Sequence, residues 1–354
     1  CISSGSANIQ NIIKIVNSIM MWIRFLQLFG PSLCINFVIS GSDDFSLWNH
    51  NDAISRILEY VSILWNLIPP LNRVDSCPYI LLIYSIFFII FYATLVSCSF
   101  YYKKYAKLPD FIPPFIMIFI STFGFFFHSV AAAHGFEIIG YYINYSDHPN
   151  LVFNIVTFVL FIICLIIYFY LYIHIFSVTI EFRNDSLLCI LFLPQVQIMT
   201  ATTVITAITS FFTHFSSVPK SVSCFLNAAI FIFLFLNRYI EGGFIKMKAN
   251  VIFSTVTLLG VINSLLCGIL LILKKKITIL FIFVVIGVIV VVAISMNILE
   301  TRRRTKCLII LDEAGNNNEL DYIKNFRFFM SLVIIGFEKA HFVCMSYQIF
   351  KDAI

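Results

Sequence analysis

The stretch "GILLILKKKITILFIF" (Gly268–Phe283) sets three consecutive lysines, Lys274, Lys275 and Lys276, inside a run that is otherwise almost pure hydrocarbon. Apolar segments lie on both sides, Val251–Leu273 and Ile277–Leu299. Each is about the 20 residues that a helix needs to cross roughly 30 Å of acyl chain. One continuous helix through the lysines would leave their ammonium groups in or beside hydrocarbon, at a cost of several kcal/mol. The triplet therefore reads as a tight turn at a membrane surface, joining two crossing helices.

Composition gives the same answer for the whole chain. Its 354 residues are 60% hydrophobic and 17% aromatic, with 40 Phe, and only 12% are charged. Soluble domains carry about 25% charged residues. A mean hydropathy of +0.96 leaves too few polar side chains to coat a water-soluble surface. The expected fold is all-α: a polytopic transmembrane helix bundle followed by a short cytosolic amphipathic helical segment. Besides the two segments already named, Tyr79–Tyr101, Phe111–Ala133, Leu151–Val178, Ser186–Phe212 and Ser221–Ile240 are long and nearly uncharged, and read as spans. Met20–Ser40 is a further span, although it contains Arg24 and Pro31. Ala53–Leu71, with Arg56 and Glu59 near its start and Pro69-Pro70 at its end, is either a weak span or a surface amphipathic helix. The total is seven to nine, divided into an N-terminal segment (1–52), the bundle (53–300) and a cytosolic linker (301–354).

Most loop lysines and arginines, from Lys103 and Lys104 to the "TRRRTK" cluster at 301–306, fall on one side, which the positive-inside rule assigns to the cytosol. Arg73, Lys220 and the lysine triplet fall on the other. Asn144-Tyr145-Ser146 is a sequon in the loop 134–150 on that outer side, so Asn144 is a glycosylation candidate. After residue 300, Tyr322, Phe326, Phe329, Val333 and Phe337 recur at helical spacing and predict an amphipathic cytosolic helix. The chain begins with Cys rather than Met, and it reads as a piece of a longer protein.

The ten cysteines are scattered, with no CxxC pair, and read as small apolar fillers rather than a disulfide framework or zinc site. No cofactor or metal is expected. Nucleotide-binding, metalloprotease and serine-hydrolase motifs are all missing, so no catalytic residue is assigned. His128, His134 and His174 lie in or near spans. An interfacial position or a hydrogen bond to a neighbouring helix accounts for each more simply than a proton relay does. The run Ala131–Ala133 reads as a close helix contact. One helix is unusually polar: in "LPQVQIMTATTVITAITS", Gln195, Thr202, Thr206 and Thr209 share a face, with Gln197 nearby. That face must point into the bundle. It either packs, each threonine returning its hydroxyl to its own helix, or lines a polar pathway.

The run "FLQLFGPSLC" (Phe25–Cys34) leading to Trp48, together with "IGFEKAHFVCMSYQIFKDAI" (Ile335–Ile354), resembles the polytopic membrane region of tiny-macrocyst-type proteins of protists. In parabasalids such a region precedes PAS and adenylate/guanylate cyclase domains. The resemblance implies a multi-pass anchor and sensory region, with cytosolic domains downstream of residue 354. The expected partners are the lipid bilayer, those domains and a second copy in a homo-oligomer, with no nucleic acid. The alternative is a transporter or channel whose pathway follows the 195–209 face.

Overall fold

The computed structural model describes residues 7–38, 47–48, 53–68, 74–106, parts of 108–119, 124–145, 150–173, 192–241, 247–277, 285 and 287–302. Among them there are helices and turns and no strand. The helices are α1 (Ala7–Phe29), α2 (Ala53–Val61), α3 (Ile63–Asn66), α4 (Cys77–Tyr105), α5 (Phe125–Asn144), α6 (Leu151–Leu171), α7 (Phe192–Phe211), α8 (Ser217–Glu241) and α9 (Met247–Ile272), with a last helix, α10, over 287–302. Five segments are long and apolar enough to cross a membrane: Val74–Tyr105, Leu151–Leu171, Val196–His214, Ser217–Asn237 and Asn250–Ile272. Little of the apolar length of α4 and α6 is buried within the bundle. Ile83, Phe87 and Ile90 of α4 and Ile155, Ile163 and Ile166 of α6 face outward. A surface of that kind suits acyl chains rather than water.

The lysine triplet ends a helix as expected. Lys274 has φ 50°, the left-handed region, and its N–H donates to the Leu271 carbonyl, while the Lys275 N–H reaches back to Leu270. These two bonds make a Schellman motif, with lysine in the place usually held by glycine. All three lysines are exposed, and the Ile277 N–H, just beyond them, donates to the Leu47 carbonyl. At the far end of the bundle α4 finishes with Lys103 and Lys104 in its last turn and Ala106 in the left-handed region. Those positive charges complement the carbonyl end of the helix.

Three expected segments are corrected. The helix expected at 20–40 lies further towards the N-terminus. α1 stops at Phe29, because Gly30-Pro31 starts a 3-10 turn (Gly30–Leu33) and Cys34 turns the chain with φ 54°. Pro31 cannot continue the amide ladder. The span option at 53–71 gives way to two short helices, since the chain breaks at Ser62, whose hydroxyl donates to the Glu59 carbonyl. The segment 111–133 runs further than expected. α5 begins at Phe125 and continues through the expected loop 134–150 as far as Asn144. In the first half of that segment Ile112, Phe115 and Ile116 are helical, and the Phe115 N–H donates to the Phe111 carbonyl. The expected second half of the lysine hairpin, 277–299, is described as helix over 287–302. The predicted amphipathic segment after 302 lies outside the described residues.

α5 is the helix around which the others pack, touching α1, α3, α4, α6 and α7, while α8 and α9 lie along each other and α9 closes back on α1. Ala131, Ala132 and Ala133 are fully buried on α5, as a close contact requires. Gln27 of α1 ties three elements together by donating its amide to the carbonyls of Leu64 and Phe126. Asn263 of α9 donates to the Ser32 carbonyl at 2.7 Å. Between α4, α5 and α6 lies an aromatic core in which Phe91 stacks on Phe119 at 4.1 Å and Phe88 meets Tyr168 edge-on.

Within that core Tyr84 Oη is 2.8 Å from His128 Nδ1, and His128 Nε2 meets no hydrogen-bond partner among the described residues. Tyr84→Phe removes this bond from a fully buried imidazole and is expected to cost about 1 kcal/mol. The double variant Tyr84→Phe/His128→Phe leaves no polar atom behind and is expected to recover that loss. Thermal unfolding in detergent measures both.

Candidate functional site

Polar side chains collect at one end of the bundle. The short connections 145–150 and 215–216 bring the C-terminus of α5, the start of α6, the end of α7 and the start of α8 to the same end as Cys77, the first residue of α4. Counting back from Asn144, Glu137 lies about two turns and His134 about three turns inside. The i, i+3 spacing puts them on one face of α5. His134 and Glu137 are fully buried, and so is Cys77.

His134 bridges two other elements. Its Nε2 is 2.7 Å from the Asn66 carbonyl at the end of α3, and its Nδ1 is 3.2 Å from Cys77 Sγ. A carbonyl only accepts, so the Nε2 nitrogen carries the proton and donates it. The Nδ1 lone pair therefore points at Cys77. This orientation is set by backbone, the same device that fixes the tautomer of a metal-bound histidine. Glu137 presents its carboxylate to His214, with Oε1 3.3 Å from Nε2. His214 ends the 3-10 turn (Phe212–His214) that follows α7. The His214 carbonyl in turn accepts a 2.6 Å bond from Asn144 Nδ2, and its ring stands edge-on to Tyr141.

The donor atoms of Cys77, His134 and Glu137 all lie within 4.8 Å of one another. One thiolate, one imidazole nitrogen and one carboxylate oxygen at that spacing is a set that a tetrahedral transition ion accepts, with a fourth position left for water. The scattered cysteines are expected to act as small apolar fillers, and Cys77 lies instead beside two polar side chains. Cys77 does not pair with a second cysteine in sequence; it meets a histidine from a helix far along the chain. His128 and His134 are both fully buried, and each meets a neighbouring element through a hydrogen bond, one of the two accounts expected for them. His174 lies outside the described residues.

The polar face of α7 is separate from this cluster. Thr202, Thr206 and Thr209 are buried, and each hydroxyl donates to the carbonyl four residues back, at 2.7 to 2.9 Å. Thr203 does the same with Met199. Gln197 is half-buried; Gln195 belongs to α7, and its side chain lies outside the described residues. Thr209 also serves a neighbour, accepting a 2.8 Å bond from Asn227 Nδ2 of α8. The donors of this face are thus already used, and Thr209 joins it to α8. Thr202→Val and Thr206→Val are expected to shift thermal stability by less than about 0.5 kcal/mol, whereas Thr209→Val loses the bond to Asn227 and costs about 1 kcal/mol.

Asn144 sits at the last residue of α5 rather than out in a loop, with its amide nitrogen held by the bundle. Cys34 and Cys224, scattered in sequence, also meet, with sulfurs 3.4 Å apart beside Cys267 in a small apolar cluster. No protein-family model matches the chain, and neither a curated protein nor a solved structure is similar to it.

Proposed function

We propose that the chain is the multi-pass membrane region of a larger signalling protein and that it receives its signal at the Cys77–His134–Glu137 cluster. The observation that carries this reading is the placement of the cluster: buried groups from α3, α4, α5 and the turn after α7 converge beneath one end of a helix bundle. A region serving only as an anchor would fill that space with hydrocarbon, because buried ionisable groups are costly in a membrane. A change in what the cluster holds would act on the separate elements at once. The resemblance to tiny-macrocyst-type membrane regions supports a downstream cytosolic output, with a nucleotide cyclase as the output domain that the resemblance suggests.

In this reading α1, α5 and α10 join the five long apolar helices, making eight crossings within the expected seven to nine. The end that bears Lys274–Lys276 and the cluster then faces away from the cytosol, and the "TRRRTK" cluster faces the cytosol. Cysteine labelling in intact cells is expected to leave Cys307 and Cys344 unmodified until the membrane is permeabilised. Labelling from outside would invert the topology. The transport alternative is less well supported, since the hydroxyls along Thr202–Thr209 are spent within α7 rather than offered to a passing solute.

Spin labels test the sensory role. Tyr102 on α4 and Leu236 on α8 are exposed and lie at the end opposite the cluster. Pulsed EPR is expected to give a different distance distribution between them when Glu137→Gln alters the cluster. An unchanged distribution would reduce the region to an anchor.

A further inference from the structure

We infer that Cys77, His134 and Glu137 bind a divalent transition ion, with Zn2+ the best match, and that this ion is the signal taken up by the cluster. The inference rests on the proposed sensory reading and names the ligand of the same site.

Three observations carry it. The three donor atoms converge within 4.8 Å, from two helices whose packing fixes them. The Asn66 carbonyl holds the His134 proton on Nε2, so Nδ1 faces Cys77 as a lone pair, the form in which imidazole ligates. Cys77, His134 and Glu137 are all fully buried, and a dication joined to one thiolate and one carboxylate makes a neutral assembly, the form that a buried site accepts.

On binding, the Cys77 S–H bond breaks and its proton, now directed at His134 Nδ1, leaves to solvent. The sulfur lone pair and the Nδ1 lone pair then form bonds to the metal, and the carboxylate of Glu137 supplies the third. No electron is transferred. His214 stays outside this set, against the Glu137 carboxylate, where it orients the ligand oxygen. Thiolate and imidazole select zinc, cobalt or cadmium over magnesium and calcium, which prefer oxygen.

The test uses the full chain in lipid nanodiscs, stripped with chelator and reloaded with Co2+. The expected result is about one cobalt per chain, with a thiolate-to-cobalt charge-transfer band and tetrahedral ligand-field absorption. Zn2+ and Cd2+ displace it, and a large excess of Mg2+ or Ca2+ does not. Cys77→Ser abolishes the charge-transfer band and weakens binding by at least about tenfold. The displacement series on the wild-type protein stands even if that variant fails to fold. No bound cobalt, a spectrum without thiolate character, or a band that survives Cys77→Ser would each overturn the site. The Tyr102–Leu236 distance, measured with and without metal, separates the two claims. Cobalt bound with no change in distance removes the sensory role and keeps the metal site. A distance that responds to Glu137→Gln in protein that takes up no cobalt keeps the sensory role and removes the metal.

Discussion

Gly140→Ala is expected to unfold the bundle at a markedly lower temperature than the wild-type chain, a large effect for one added methyl group. Gly140 lies on α5 where that helix crosses the end of α7, and a Cβ at this position would overlap the Phe211 carbonyl oxygen, with the carbonyl carbon at 2.9 Å and Cα at 3.2 Å. The obstacle is backbone, so no rotamer change can relieve it; the helices themselves must separate. Overpacking usually costs about 1–3 kcal/mol, and a clash with main chain belongs at or above the top of that range, about 3 kcal/mol. The harm also reaches the site. Gly140 sits one turn beyond Glu137 and one turn before Asn144, the two residues that hold His214. Gly287→Ala is the matched control: a Cβ there meets nothing within 4 Å, and removing a helical glycine is expected to be neutral or stabilising by up to about 1 kcal/mol. Thermal unfolding of the two variants in the same detergent decides the matter, and equal shifts would mean that the α5–α7 crossing is not close.

Small residues at such crossings are what a membrane bundle uses instead of the hydrophobic effect. Lipid is as apolar as leucine, so helices gain by approaching closely. Trp65 of α3 lies flat over Gly30 in the same manner, where a Cβ would enter the indole ring. These contacts explain why the helices expected at 20–40 and 53–71 end and break where they do. The turn at Gly30-Pro31 and the short α3 form a cap that folds back over α1 and brings Asn66 to His134.

The sequence pattern reveals the long helices because each is a single apolar run with a definite end. The lysine triplet is the clearest case: charge and the length of the flanking runs demand a turn, and only the Schellman bonds need coordinates. α5 runs further than expected for the opposite reason. Its buried face carries His134 and Glu137, and a hydropathy pattern stops at a charge, so the second half of the helix looks like a loop. A helical reading of "AAAHGFEIIG" at i, i+3 holds the missing signal, since His134 and Glu137 fall on one face beside three alanines. Cys77 carries no local signal. Its partner lies across a long stretch of chain, and spacing alone cannot bring such residues together. The threonines of α7 are legible as a buried face, because a polar stripe avoids lipid whether it packs or conducts. That they pack appears only in the carbonyl four residues back.

His214→Phe is expected to lower stability by about 3 kcal/mol or more in chelator-treated protein, where no metal can compensate. The His214 ring faces the Glu137 carboxylate at 3.3 Å, and both side chains are buried. Removing one member of a buried ionisable pair leaves the other with much less to offset its desolvation, which typically costs about 3–5 kcal/mol. Replacing both by apolar groups removes the penalty with its cause, so Glu137→Leu/His214→Phe is expected to regain most of the loss. The same double variant gives up a ligand, and it should no longer take up cobalt despite its recovered stability. That separation of stability from binding is the useful feature of the pair. A helix bundle that needed Glu137 only for packing would prefer leucine there, whereas a bundle built to hold an ion must keep the carboxylate and stabilise it with His214. If His214→Phe proves as stable as the wild type, the carboxylate is balanced by other groups and His214 is not what holds it.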